Sequence, residues 1–553
     1  MKTTLHFKHL RNALIRLLLV LVAACGARGQ RVERSIDDWR PTHYSVAVTL
    51  NPSLTEITAE TDIDLEVMNA ELKQIEVQFG DLTIDSVVSG NAELTYNRHP
   101  GSLSITMAKP AASGDKINLA IRYHGVPKDG LILSKDKDGS PSATGDNWPD
   151  RVHNWIPSID HPSVKAPVTF TINAPENYYA VANGRLVSKQ AHADKTVTWV
   201  YDETSPIPPY CMVIAVDQFN VSGPPSGKAL SFLVPKSDRE LAREFAPAQQ
   251  MLDFFSETIA PYPYQKLALI VGATQFGGME NSGAIVFPSS FLPRTGDEPM
   301  TGAFKIPAHV EETVAHEIAH QWFGDSVTES TWADLWLSEG FATYFAGLFL
   351  ERFEGAEAFC SYMHTKKIVY LGYEKQKLSP IHDTQTADLH QLLNANNYEK
   401  GAWVLHMLRG MLGDEKFFEG LRIYYKSHIG GNANSDDLRN AFEKSSGRDL
   451  KDFFDRWVYH EGHPILDVAW TEKTEAGDPS ITIEVSQVQK TAVFLMPLTI
   501  VVKTTKGEVR KTVDLTGSRV HQEFRLDGKP IEVRADPDQF VLAEITVRQL
   551  RAS

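Results

Sequence analysis

Two histidines four residues apart, with a glutamate beside the first, form the run His316-Glu317-Ile318-Ala319-His320. Positions four apart share one face of a helix, so both imidazoles can reach a single ion. Residues 310–323 contain neither Gly nor Pro and carry Val314, Ile318 and Ala319 for packing, so this stretch is expected to be helical. Two histidines do not complete a catalytic zinc site, which takes three protein ligands and keeps one position open. Glu339 is the expected third ligand. Eighteen residues separate it from His320, enough for a turn at Gly324-Asp325 and a helical return. Zinc at such a site polarises a carbonyl and acidifies water. Glu317, beside the first ligand, projects toward the same site and is then the expected general base for that water.

These residues need a framework, and the chain divides into regions of different pattern. From residue 44 to about residue 220 short alternating runs are broken by turns such as Asn51-Pro52 and Ser89-Gly90-Asn91, which predicts an all-β region. Near Ser237, read as a helix cap, the period changes: Leu241, Phe245, Ala248, Leu252 and Phe255 fall on one helical face. A short apolar strand, Leu267–Val271, follows the Pro261-Tyr262-Pro263-Tyr264 break, and helical patterns then dominate to about Trp457, including a helix capped by Ser435. After Gly462-His463-Pro464 strands return, with Ile481, Ile483 and Val485 alternating, in a segment sized for a small β-sandwich. The expected division is a leader over 1–30, a β domain over 31–226, a mixed middle domain over 227–462 and a β-sandwich over 463–553.

Length and charge set limits. The 553 residues are too many for one core, and 23% charged residues match the globular norm. A net charge of −15 argues against binding nucleic acid through its phosphates. Lys2, Lys8, Arg11 and Arg16 precede an apolar run at residues 17–24, well short of the roughly 20 residues of a membrane span. Export is therefore expected. The run ends in Val22-Ala23-Ala24-Cys25, which resembles a bacterial lipobox, and two readings stay open: lipidation of Cys25 and membrane anchoring, or ordinary cleavage after Ala27-Arg28-Gly29. The destination is the periplasm or the outer membrane, with secretion as the alternative. Cys211 and Cys360 are expected to be buried free thiols.

The zinc-motif residues, together with Gly277-Gly278-Met279-Glu280-Asn281 and Tyr398-Glu399-Lys400-Gly401, resemble the M1 family of zinc metallo-aminopeptidases. Weaker echoes extend outward, in residues 156–165 and in Ile207-Pro208-Pro209-Tyr210. The resemblance implies a multidomain α+β fold: an N-terminal β-saddle, a thermolysin-like α/β catalytic domain and a C-terminal β-sandwich. It implies one zinc held by His316, His320 and Glu339, Glu317 as base, and Tyr398 as the donor that stabilises the oxyanion. It also implies Glu280 as the carboxylate that holds the substrate's α-ammonium, a charge-assisted contact that an internal peptide bond cannot make. Gly277 and Gly278 permit close approach of the peptide backbone, and Met279 is implied as a wall of the first side-chain pocket. The implied substrates are peptides with a free N-terminus; no protein partner is implied.

Two departures from the family pattern matter. Many members add a large helical domain after the sandwich; this sequence stops at Ser553, so a more open cleft is expected. The family's saddle also offers a Gln or Glu to the substrate amine, whereas the corresponding stretch here, Asp146-Asn147-Trp148-Pro149-Asp150, has neither. Asp146, Asn147 and Asp150 are open substitutes. Asp325 and Asp334 are candidates for orienting the zinc histidines. The rival chemistry is a thermolysin-like endopeptidase with the same zinc set, against which Glu280 argues.

Overall fold

In the computed structural model the described residues are 31, 38–69, 71–223, 229–290, 308–475 and 478–550. The leader with Cys25, and the expected boundary at 226/227, lie outside them.

The N-terminal region is all β, from Trp39–Leu50 to Phe219–Ser222. Alternation explains its first strand: Tyr44, Val46, Val48 and Leu50 face inward while Ala47 and Thr49 do not. That strand lies near the centre of an eight-stranded sheet, between Ile57–Val67, its antiparallel neighbour, and Ala166–Pro175, which runs parallel to it. A second sheet of four strands has the order Tyr179–Ala182, Ile214–Asp217, Pro141–Asp146, Gly130–Lys135. The end of its third strand delivers the Asp146–Asp150 stretch to the middle of the molecule.

A four-stranded sheet then joins the two halves. Phe219–Ser222 pairs antiparallel with Leu230–Pro235, which runs parallel to Leu267–Val271, itself parallel to Ala284–Phe287. Every residue of Leu267–Val271 is buried, because neighbours in the strand feed two cores. Leu267, Leu269 and Val271 pack toward the helices; Ala268 and Ile270 pack toward the N-terminal β region. The sheet that carries the site is thereby clamped on both faces.

Five helices matter for the site: α1 (Ala248–Thr258), α2 (Ala308–His320), α3 (Trp336–Glu354), α4 (Ala356–Glu374) and α5 (Gly401–Leu412). Helix α3 is buried from Trp336 to Phe349, the signature of a central helix with neighbours on all sides. Two sequence expectations need correction. The helix from Ser237 is two pieces, a 3-10 stretch Lys236–Phe245 followed by α1, and Ser237 does not cap it. Pro247 stands between them, where its missing N–H breaks the run of backbone donors. The helix Ser435–Ser446 is capped by Asn434, whose side chain accepts from Asp436 N and Asp437 N, while Ser435 turns inward and donates to Asp334. A C-terminal β-rich region follows, with sheets ordered Arg519–Arg525, Asp478–Gln487, Ile465–Glu475, Glu544–Gln549 and Gly507–Leu515, Met496–Thr504, Pro530–Ala535. Its inner residues share one core with the helices.

Asp217, only 3% exposed at the end of its strand, sits against Asp136. Burial, and then the neighbouring carboxylate, push its pKa up to about 8. At this carboxyl the folded protein therefore holds a proton that the unfolded chain has lost between about pH 4 and pH 8, and the site's contribution to stability falls as pH rises through that window. The Asp217→Asn variant is expected to flatten this slope and to be the more stable protein at pH 8. Urea midpoints at pH 5, 6, 7 and 8 check it; parallel pH profiles for the two proteins would rule the idea out.

Candidate metal and peptide site

Helix α2 presents His316 and His320 one turn apart, and α3 packs against it to bring Glu339 alongside. One ligand atom from each of these three residues lies within 4.8 Å of the other two. His316 Nε2 is 3.2 Å from Glu339 Oε2 and 3.0 Å from His320 Nε2, while His320 Nε2 is 3.4 Å from Glu339 Oε2. Among the described residues this is the one group of three or more His, Cys, Asp or Glu side chains spaced to share an ion.

The electrostatics call for a cation at this point. Burial alone would raise the Glu339 carboxyl, but His320 and His316 hold it down at about 2. Burial works against charge on His320, yet Glu339, Glu280 and Glu317 drive its pKa up to about 10. Burial keeps His316 below the usual imidazole range. A carboxylate and two imidazoles whose nitrogens converge on one point are the donor set of a catalytic zinc. One buried oxygen of Glu317 has no hydrogen-bond partner within the protein, as expected of a group waiting for a ligand or a water molecule. The residues present fit the metal.

Both imidazoles are held from behind. Ser338 Oγ lies 3.0 Å from His320 Nδ1 and the Phe323 carbonyl 3.2 Å from it, and Thr343 Oγ1 is 3.5 Å from His316 Nδ1. Asp325 and Asp334, expected here from the sequence, do other work. Asp325 accepts from Gln321 and from the Cys211 thiol, and Asp334 from Ser435 and His382. Cys211 is buried in the N-terminal hydrophobic core with its thiol donating to Asp325; Cys360 is half-buried, and both thiols are free.

Glu280 reaches the same cleft from the sheet. The segment before it runs antiparallel to Ala284–Phe287, with Met279 N donating to Val286 O at 2.8 Å and Val286 N to Met279 O at 2.9 Å. Gln321, the residue after the second zinc histidine, donates to the Glu280 carbonyl at 2.8 Å and accepts from Gly283 N at 2.7 Å. Asn183 in the N-terminal region donates to Ser282 O at 2.8 Å. Burial, and then Glu339, raise the Glu280 carboxyl to about 7. A methyl group at Gly278 would overlap the Glu317 carboxylate, so only glycine lets this strand pass so close to the base. Gly277 faces open space.

Tyr398 arrives on a single π-helical turn, Asn396–Lys400, ahead of α5. Gly340 of α3 and Gly401 of α5 touch: a Cβ at Gly340 would stand 2.9 Å from Gly401 Cα. This close crossing draws the turn against Glu339. The Tyr398 ring stacks on His316 with centroids 5.8 Å apart and planes 5° apart. Burial, followed by Glu339 and Glu280, pushes its phenol far above the ordinary range, so it stays protonated and able to donate.

A cleft of about 280 Å³ brings together Gly277, Gly278, Glu280, Glu317, Tyr398 and the three zinc-type ligands. Asp146, Asn147 and Asp150 do not line it. Asp146 accepts from Thr274 and Gln275 and forms an ion pair with Arg151, and Asn147 is bonded to Met212 and Trp155. Asp150 is half-buried, its carboxyl raised to about 6 by burial and then Asp160. From that stretch it is Trp148 that enters the lining.

Comparison with known proteins agrees with this architecture. Residues 40–211 match the peptidase M1 N-terminal domain, and residues 243–457 match the peptidase family M1 domain. The chain belongs to peptidase family M1. Family members are zinc metallopeptidases. It is 28% identical to tricorn protease-interacting factor F2 of Thermoplasma acidophilum, over 76% of this chain and 54% of that protein. It is also 28% identical to probable aminopeptidase 2 of Sulfurisphaera tokodaii, over 63% of this chain and 45% of that one. Glutamyl aminopeptidase of Rattus norvegicus is 28% identical over 65% of this chain and 39% of its own length. The chain thus spans about half, or less, of the curated relatives it matches.

Proposed function

We propose that this protein is a zinc-dependent aminopeptidase that hydrolyses the first peptide bond of peptides with a free N-terminus. One observation carries the proposal: a buried carboxylate, Glu280, shares a small cleft with the His316, His320, Glu339 cluster and with Glu317. A metal hydrolase without an amine anchor would cut internal bonds. Glu280 next to the reacting centre binds the substrate ammonium and limits cleavage to the first bond.

His316, His320 and Glu339 hold the zinc, which supplies polarisation of the scissile carbonyl and acidification of water. Glu317 takes the proton from the attacking water and delivers it to the leaving nitrogen; burial and then the neighbouring carboxylates Glu280 and Glu339 favour the protonated form that this relay passes through. Tyr398 donates to the oxygen that becomes negative. Gly277 and Gly278 let the substrate backbone lie along the strand beside Glu280. The proposal includes the finer fold, a β-saddle over 31–226, a thermolysin-like domain over 227–462 and a sandwich over 463–553. It also includes export directed by the leader, with Cys25 as the lipid attachment point where cleavage precedes it.

The test is a matched pair of peptides, one free and one N-acetylated. The wild-type protein is expected to cleave only the free one, and Glu280→Ala to lose most of its turnover together with that preference. Equal cleavage of both peptides by the wild type would leave the endopeptidase reading in possession.

A further inference from the structure

The stretch at which the family pattern offers the substrate amine a polar side chain instead presents an indole to the cleft. We infer that Trp148 is the specificity-determining wall for the first residue of the substrate, and that this residue is a large apolar one such as Leu or Phe. The inference rests on the aminopeptidase reading above and deepens it.

With the ammonium at Glu280 and the scissile carbonyl at the His316, His320, Glu339 cluster, the first side chain must lie against the walls that flank Glu280. The apolar residues that line the cleft with Glu280 are Phe276, Met279, Trp148 and Leu393. Trp148 is held rigidly. Its ring meets Phe276 edge-on at 5.7 Å, Trp332 at 5.7 Å and His390 at 5.8 Å, and its carbonyl accepts from Arg151 Nε at 2.7 Å. A fixed aromatic wall favours a side chain that fills the space against it, through area removed from water and edge-to-face contact.

Among the described lining residues a charged side chain finds no free partner. The Arg151 guanidinium lies over the Phe276 ring at 5.7 Å, but Asp146 at 3.0 Å and Asp129 at 2.6 Å already engage it. Lys366, the one cationic lining residue besides the zinc-type histidines among the described residues, is engaged by Glu312 at 2.5 Å and covers the Tyr362 ring. An acidic first residue would therefore meet no free counter-ion among the described residues, and a basic one would compete with the ammonium for Glu280.

The experiment uses the full chain loaded with zinc and amino-acid amides of Leu, Phe, Ala, Glu and Arg, with kcat/KM measured for each. The wild type is expected to favour Leu and Phe over Ala by about 10-fold or more, and to rank Glu and Arg last. In Trp148→Ala the Leu-to-Ala ratio is expected to fall toward one, and in Trp148→Phe to lie between the two, a graded response that simple loss of folding would not produce. A wild-type preference for Glu or Arg, or an unchanged ratio in Trp148→Ala, overturns this inference while leaving the aminopeptidase reading intact. A uniform loss across the panel in both variants also overturns it. No turnover of any amide or peptide by the wild type overturns both.

Discussion

Glu317→Gln is expected to lower kcat about 10²–10⁴-fold, with little change in KM and no loss of zinc. Glutamine keeps the volume of glutamate, so it fits against Gly278 as the native side chain does, but it cannot accept a proton. The substitution thus removes the relay and leaves the cleft. Two features of the site make the loss large. One oxygen of Glu317 is buried with no partner in the protein, so nothing competes with water for it. Burial, then Glu280 and Glu339, raise its affinity for a proton, with His320 opposing them, which suits a group that must first accept one and then give it up. The measurement is steady-state turnover of Leu amide beside metal content by mass spectrometry. Turnover within threefold of wild type at full zinc occupancy would remove Glu317 from the mechanism.

Tyr398→Phe is expected to cost about 10²–10³ in kcat, equivalent to roughly 2.7–4 kcal/mol of transition-state stabilisation. The ring should stay in place, because its stacking on His316 and the Gly340–Gly401 contact do not involve the hydroxyl. KM should therefore move little, since the lost hydrogen bond strengthens only as charge gathers on the carbonyl oxygen. Burial and the carboxylates around the phenol keep it protonated, so the defect should be constant from pH 6 to 9. A variant in which KM rises and kcat holds would make Tyr398 a packing residue instead.

These two effects come from residues of unequal legibility. His316, Glu317 and His320 can be read directly, because a four-residue interval on a helix fixes the relative position of two side chains whatever surrounds them. Glu339 was accessible for a related reason: one turn and a helical return limit where it can lie. Tyr398 and Glu280 needed the family resemblance. Their spacing from the zinc motif carries no geometric information, since 36 residues lie between Glu280 and Glu317 and a separate helix intervenes before Tyr398.

By itself, then, the sequence determined the local periodicities: strands at both ends, helices between, and a metal-binding pair on one helical face. Tertiary structure alone decided what meets that pair. The sheet edge at Val286 sets the depth of Glu280, Gln321 ties that segment to the end of α2, and two glycines in contact bring Tyr398 to His316. The same holds for Trp148, 168 residues before His316 in sequence and a wall of its cleft in space. Local rules act over a few bonds, whereas these contacts depend on how a sheet with two buried faces packs its neighbours, and no short stretch of residues encodes that.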